Sequence, residues 1–243
     1  MKHAPFRRFF SSLLSLSVIL SSSPALADIN ERVLVVDHAP VCSVNGSVIV
    51  TDPQDNAALI VDMITEDADV TVSGEIKSIE SSSASKINAV HVSSKGTSSN
   101  SIDVGKGIHD ITVHDGVSAV AVEINGYDSG VTGFSVQNGG IVAQTDGSGS
   151  DAVGVRANMT NNASADIQAV SSGIQAETQG DSASAKALEI FTKEDSAFSV
   201  QAGEFISADT AGYNSFATGA EIYAQDGSTV TIDAGKIEAH TVG

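Results

Sequence analysis

One apolar anchor recurs through most of this chain at nearly constant spacing. It stands at Val72, Val104, Val136, Ile167, Val200 and Ile232, at intervals of 32, 32, 31, 33 and 32 residues. Two residues earlier come Val70, Ile102, Phe134, Ala165, Phe198 and Val230, and between the two columns lie Thr71, Asp103, Ser135, Asp166, Ser199 and Thr231. Apolar, small polar, apolar is the period of a half-buried strand. Glycine follows three residues after the anchor at Gly107, Gly139, Gly203 and Gly235, marking a turn. A further strand-like run repeats as Ala89–Val92, Ala119–Val122, Ala152–Val155, Ala187–Ile190 and Gly219–Ile222. On this alignment residues 134–165 form one coil.

A fixed period of this length belongs to solenoids, propellers or arrays. Four-stranded blades need a longer unit, and the 3.6-residue period of helical repeats is missing. The pattern predicts an all-β fold, a right-handed parallel β-helix (β-solenoid) with three short strands per ~32-residue coil. Each strand would pair with its equivalents in the adjoining coils about 4.8 Å away, so six to seven coils make a rod roughly 30 Å long. Composition agrees, because 22 glycines, no tryptophan and 17% charged residues suit a turn-rich ladder better than the long apolar helices of an α/β enzyme.

The chain divides into three parts. Residues 1–27 read as a secretory signal peptide. Lys2, Arg7 and Arg8 precede a serine-diluted apolar stretch from Leu13 to Leu20, and Ala25-Leu26-Ala27 supplies the small-residue cleavage site. That stretch is too short to span a bilayer, so no transmembrane segment is expected in the mature chain. Residues 28–69 hold strand-like runs at Val33–Val36, Ser47–Val50 and Ala58–Val61, and are expected to form the first coil and an N-terminal cap. Residues 70–243 are the repeats. Their last strands, within Ile232 to Ala239, are expected to leave an open edge, which predicts end-to-end self-association.

Without the three basic residues of the leader, nine basic side chains face thirty acidic ones, a net charge of −21. Such a surface repels nucleic acid and anionic membranes, so no nucleic-acid partner is expected. The single cysteine, Cys42, allows no internal disulfide and reads as a small packed apolar residue.

Chemistry is sparse. His109-Asp110 and His114-Asp115 resemble a metal or acid–base pair, but no third ligand completes a site. Alternation is read as turning Asp110, Thr112 and His114 outward and His109 inward. Asp146–Val153 matches one calcium-roll nonapeptide with Asp146 in place of its first glycine, and those sites need tandem copies. No metal, cofactor or catalytic residue is assigned. The outward columns say more. Gln137, Gln168 and Gln201 share one outward position, where their amides either form a hydrogen-bonded ladder or stand solvated. Another column reads Ser93, Glu123, Arg156, Phe191 and Tyr223. There Glu123 can pair with Arg156, and the two rings either stack as a partner-binding patch or tuck beneath a loop. Glu189 and Glu221 share a column above His91, Ala121 and Gly154. Stacked carboxylates can serve a polysaccharide hydrolase or lyase, yet no tryptophan or aromatic cleft flanks them.

The leader, followed by Gly/Ser/Thr/Asn/Asp-rich coils with segments such as Gly-Ser-Thr-Val-Thr-Ile-Asp-Ala-Gly at residues 227–235, resembles the passenger of an autotransporter, the type V secretion family of Gram-negative bacteria. The resemblance covers the leader and residues 70–243. It implies an exported protein of the periplasm, outer-membrane surface or extracellular space, serving adhesion or aggregation on a host or cell-surface macromolecule. It brings no catalytic residues. Autotransporters end in a translocator barrel, whereas this sequence stops at Gly243. That reads as a truncated passenger, a split gene product or a smaller secreted solenoid. Two functions are carried forward. One is a structural and adhesive surface module with Phe191, Tyr223, Glu189 and Glu221 on its contact surface. The other is a polysaccharide-active β-helix enzyme.

Overall fold

The computed structural model describes residues 29–37, 41–51, 57–79, 85–169 and 171–242, and every regular element among them is a strand. The expected leader lies outside the described residues. The strands come in threes, one triplet to a coil. The first coil is β1 (Val33–Val36), β2 (Val41–Val44) and β3 (Val48–Thr51); the second is β4 (Ala57–Met63), β5 (Ala68–Val72) and β6 (Ile76–Ile79). The third is β7 (Lys86–Lys95), β8 (Ser99–Val104) and β9 (Ile108–Thr112); the fourth is β10 (Ser118–Tyr127), β11 (Val131–Val136) and β12 (Ile141–Thr145). The fifth is β13 (Ala152–Thr160), β14 (Ser164–Ala169) and β15 (Ile174–Thr178); the sixth is β16 (Ser184–Lys193), β17 (Ala197–Ala202) and β18 (Ile206–Thr210). The last is β19 (Phe216–Ala224), β20 (Thr229–Ala234) and β21 (Ile237–Thr241).

Each of the three sheets takes one strand from every coil and holds seven strands: β1 through β19, β2 through β20, and β3 through β21, in steps of three. All the pairings are parallel, β10 with β7 and β13 for example. The molecule is a parallel β-solenoid with three strands per coil. No helix among the described residues is long and apolar enough to cross a membrane.

The core is a set of columns along the axis. Val48, Ile76, Ile108, Ile141, Ile174 and Ile206 stack in register on the third sheet, each 0% exposed. Val35, Val61, Val92, Ile124, Ala157 and Ile190 do so on the first, and Cys42 opens a column continued by Val70, Ile102, Phe134, Ile167 and Val200. Cys42 is therefore a core residue, and burial raises its thiol pKa. Each apolar side chain is covered by its neighbours in the adjacent coils, so burial along the rod is cooperative. In the last layer the same columns open to solvent, with Ile222 42% and Ile237 50% exposed. At the other end Ile29 bridges to Val48 and covers the outer edge of β3.

Aspartates staple the turns. The Asp115 carboxylate accepts the Ser148 amide at 2.7 Å, Asp151 the Ser184 amide at 2.8 Å and Asp181 the Tyr213 amide at 2.8 Å, each one coil further on. Asp67 does the same for Ser99 at 2.8 Å, and Asp37 for Ile64 at 3.0 Å. A turn amide facing outward on a stack needs an acceptor, and this accounts for much of the loop aspartate. At Gly180 the backbones approach so closely that a Cβ would lie 1.8 Å from the Gly147 carbonyl oxygen.

Three expectations need correction. In the anchor column, Ile167 pairs with Phe134, and Ala169 pairs with Val136. The alignment that set Ile167 level with Val136 is two residues out, and this coil repeats after 33 residues. A two-residue slip keeps every side chain on its proper face, so periodicity alone does not detect it. The same slip affects the longest strands. Ala119 lies beside Ile87 and Ala152 beside Ala185, because Ala119-Val120-Ala121-Val122 offers the same dipeptide twice. Finally, Asp110 and Thr112 point inward, both 0% exposed, and His109 faces outward. Ile108 and Ile111 offered two opposite phases, and the stack uses Ile108.

Candidate interaction surface

The five longest strands are β7, β10, β13, β16 and β19, with nine or ten residues each. Their alternation breaks once per coil. Ala89 and Val90, Ala121 and Val122, and Ala187 and Leu188 all belong to the core although each pair is consecutive. The break sets Asn88, Val120, Val153 and Lys186 apart from the core cluster in one column, the first three buried and Lys186 half-buried, next to the column Ile60, His91, Glu123, Arg156, Glu189, Glu221. Charged side chains from two columns thereby share one outer face.

Glu123 is the best-held of them. Its side chain is 8% exposed. Lys86 Nζ donates to both carboxylate oxygens at 2.9 Å, Asn88 Nδ2 donates at 3.1 Å, and His91 Nδ1 lies at 3.0 Å. Burial alone would raise the Glu123 pKa; the bonds from His91 and Lys86 outweigh it and lower the value to about 2. An ionised carboxylate only accepts, so His91 Nδ1 carries the proton it shares with Glu123.

Further along, Arg156 Nε donates to Glu189 at 2.5 Å, and Lys186 Nζ bridges Glu189 at 2.7 Å and Glu221 at 2.6 Å. Register does set Arg156 beside Glu123, but its ion pair goes to Glu189. Glu189 and Glu221 stand above Arg156, Glu123 and His91, which corrects the expected Ala121 and Gly154. Burial opposes ionisation of Glu189, and Lys186 with Arg156 overcomes it; at Glu221 the Lys186 hydrogen bond leads, and both carboxyls lie below the usual range.

Phe191 and Tyr223 are neighbours in the next column, which also holds Asp62, Ser93, Asn125 and Asn158. Tyr223 is 52% exposed and Phe191 half-buried, so neither ring is tucked away. The Tyr223 hydroxyl donates to Glu221 at 2.7 Å, and that carboxylate raises the phenol pKa. Phe191, Tyr223, Glu189 and Glu221 thus form one contiguous patch across β16 and β19.

The glutamines do not form one column. Gln168 pairs in register with Gln201 but with Ser135 on its other side, leaving Gln137 two residues out. Gln137 Nε2 donates to Ser135 and Gln168 Nε2 to Asp166, each along its own strand. The amide–amide bond between coils is elsewhere, from Asn158 Nδ2 to Asn125 Oδ1 at 2.9 Å. Among the described residues no group of three or more His, Cys, Asp or Glu could hold a metal ion. Sequence reasoning missed Lys86, Asn88 and Lys186. The available signal was opposite charge about one period apart, as in His91 with Glu123 and Arg156 with Glu189.

No family model, no curated protein and no solved structure matches this chain.

Proposed function

We propose that the chain is a structural and adhesive surface module, an exported β-helical rod whose outward columns meet a host or cell-surface macromolecule. One observation carries the reading: an inward column of the stack repeats its residue, and an outward column does not. Ile76, Ile108, Ile141, Ile174 and Ile206 keep one residue type through five coils, whereas Ile60, His91, Glu123, Arg156 and Glu189 change at every step, and only Glu221 repeats its neighbour. Packing restricts the first set. The second set is free to vary for contact, along an extended face of the kind solenoids use for binding. Phe191 and Tyr223 add aromatic area, which often supplies much of an interface's energy. Export is supported by Lys2, Arg7, Arg8 and Ala25–Ala27 and by the resemblance to autotransporter passengers.

The test is attachment of beads coated with the full chain to cells and matrix proteins, beside a polysaccharide depolymerisation assay. Attachment that falls in the double variant Phe191→Ala/Tyr223→Ala is expected. Depolymerisation without attachment would favour the polysaccharide-active enzyme instead. A hydrolase needs a carboxyl held protonated as general acid, and Glu189 and Glu221 are both shifted the other way.

A further inference from the structure

A cleft of about 420 Å³ opens on the outer face where β4, β7 and β10 meet, within the range of small-molecule sites, about 300–1,000 Å³. Its floor donors turn mainly to Glu123: Lys86 Nζ gives it two N–H groups, Asn88 Nδ2 and His91 Nδ1 one each, which leaves one N–H on Lys86 and one on Asn88. Around them stand acceptors. In the tautomer with its proton on Nδ1, His91 presents Nε2 as a lone-pair acceptor. Ser93 and Asp62 line the same cleft, one half-buried and one exposed. Asn88, 4% exposed, lines it too, and its Oδ1 has no hydrogen-bond partner. Ile60 supplies an apolar wall.

A site rich in acceptors, with its lysine neutralised, suits a ligand that donates several hydrogen bonds and carries no negative charge. Sulfate, phosphate and uronate would meet Asp62 and Glu123 with no uncommitted cation among the lining residues. A hydroxyl-rich ring with one apolar C–H face satisfies both the acceptors and Ile60. We propose that this cleft binds a neutral sugar, with Asp62, Ser93 and His91 Nε2 accepting from its hydroxyls. The proposal rests on the adhesive reading and names a ligand class and a place for it.

The experiment is a glycan array probed with the full chain, followed by calorimetry with the best neutral sugar. The variants are Asp62→Ala, Ser93→Ala and His91→Asn; the last keeps a donor for Glu123 and removes the acceptor facing the cleft. Each is expected to weaken binding by about 2- to 10-fold, the loss of one hydrogen bond, with melting unchanged. Gln201→Ala, on another sheet, should bind as the parent does. Preference for sulfated or uronate glycans, unchanged affinity in all three variants, or no neutral sugar bound would each overturn the proposal. Bead attachment separates the two ideas. Attachment without sugar binding sinks this site and keeps the adhesive reading; sugar binding without attachment does the reverse.

Discussion

The inside and the outside of this rod are made by the same strands and obey different rules. Inside, Ile76 to Ile206 stack isoleucine on isoleucine, all fully buried. Outside, Arg156 lies between Glu123 and Glu189 in register and bonds only one of them. An inward position requires a shape and an apolar surface, and any coil can meet it with much the same residue. An outward position is defined by its neighbours, so its meaning depends on the register. The solenoid therefore fixes its interior coil by coil and leaves its face to be written residue by residue.

The largest break in that contrast is a charge placed inside. Phe198→Asp removes a side chain 1% exposed and buries a carboxylate with no partner, at a cost of about 5 kcal/mol or more. Denaturant unfolding would measure it, and a loss below 1 kcal/mol would deny the inward assignment.

Two acids sharpen the comparison from opposite sides. Asp110 is inside. Its carboxyl accepts from the Val120 amide at 2.7 Å, but burial drives its pKa well above the ordinary 3.8. The folded state then holds a proton that the unfolded chain releases, so stability falls as pH rises from about 4, by about 1.4 kcal/mol per unit until Asp110 ionises. Asp110→Asn keeps an acceptor for Val120 and should raise the melting temperature at pH 7 far more than at pH 4. Equal effects at both would show that Asp110 is not held neutral.

Glu123 is outside, and its slope has the other sign. Its pKa falls from 4.5 to about 2, so its contribution is present above the ordinary value and is lost as pH drops through that window. Glu123→Ala leaves Lys86 and His91 without their carboxylate and should cost about 3 kcal/mol at pH 7. The variant should match the parent near pH 2, and a cost that persists there would mean a packing role alone.

The smallest effect is at Ser199. Its hydroxyl bonds Asp166 on the neighbouring strand, so Ser199→Asp sets two carboxylates side by side and should cost about 0.5 to 1 kcal/mol, relieved by salt. A loss as large as that of Phe198→Asp would exchange the two faces.

The inside was legible in the sequence and the outside was not, for a physical reason. A strand's period of two separates inward from outward residues, and the coil count follows from it. A slip of two residues leaves that separation intact while exchanging every neighbour. Period alone thus aligns Gln137 with Gln168, and Glu189 with Gly154, though Ser135 and Arg156 are the true partners. Phase failed only where apolar residues competed, at Ile108 against Ile111. The cleft at Glu123 escaped because Lys86 and Asn88 precede a break in alternation that no simple pattern marks.

Register is the central claim, and two deletions differing by one residue test it most directly. Phe134 pairs with Ile167, so removing residues 134–166 puts Ile167 in the place of Phe134 and keeps the stack in phase. Removing residues 134–165 puts Asp166 there and turns Ile167 outward. The shorter chain should retain β-sheet circular dichroism and a cooperative melt, and the longer one should lose both. Equal behaviour, or a cooperative melt only after removal of 134–165, would contradict the register.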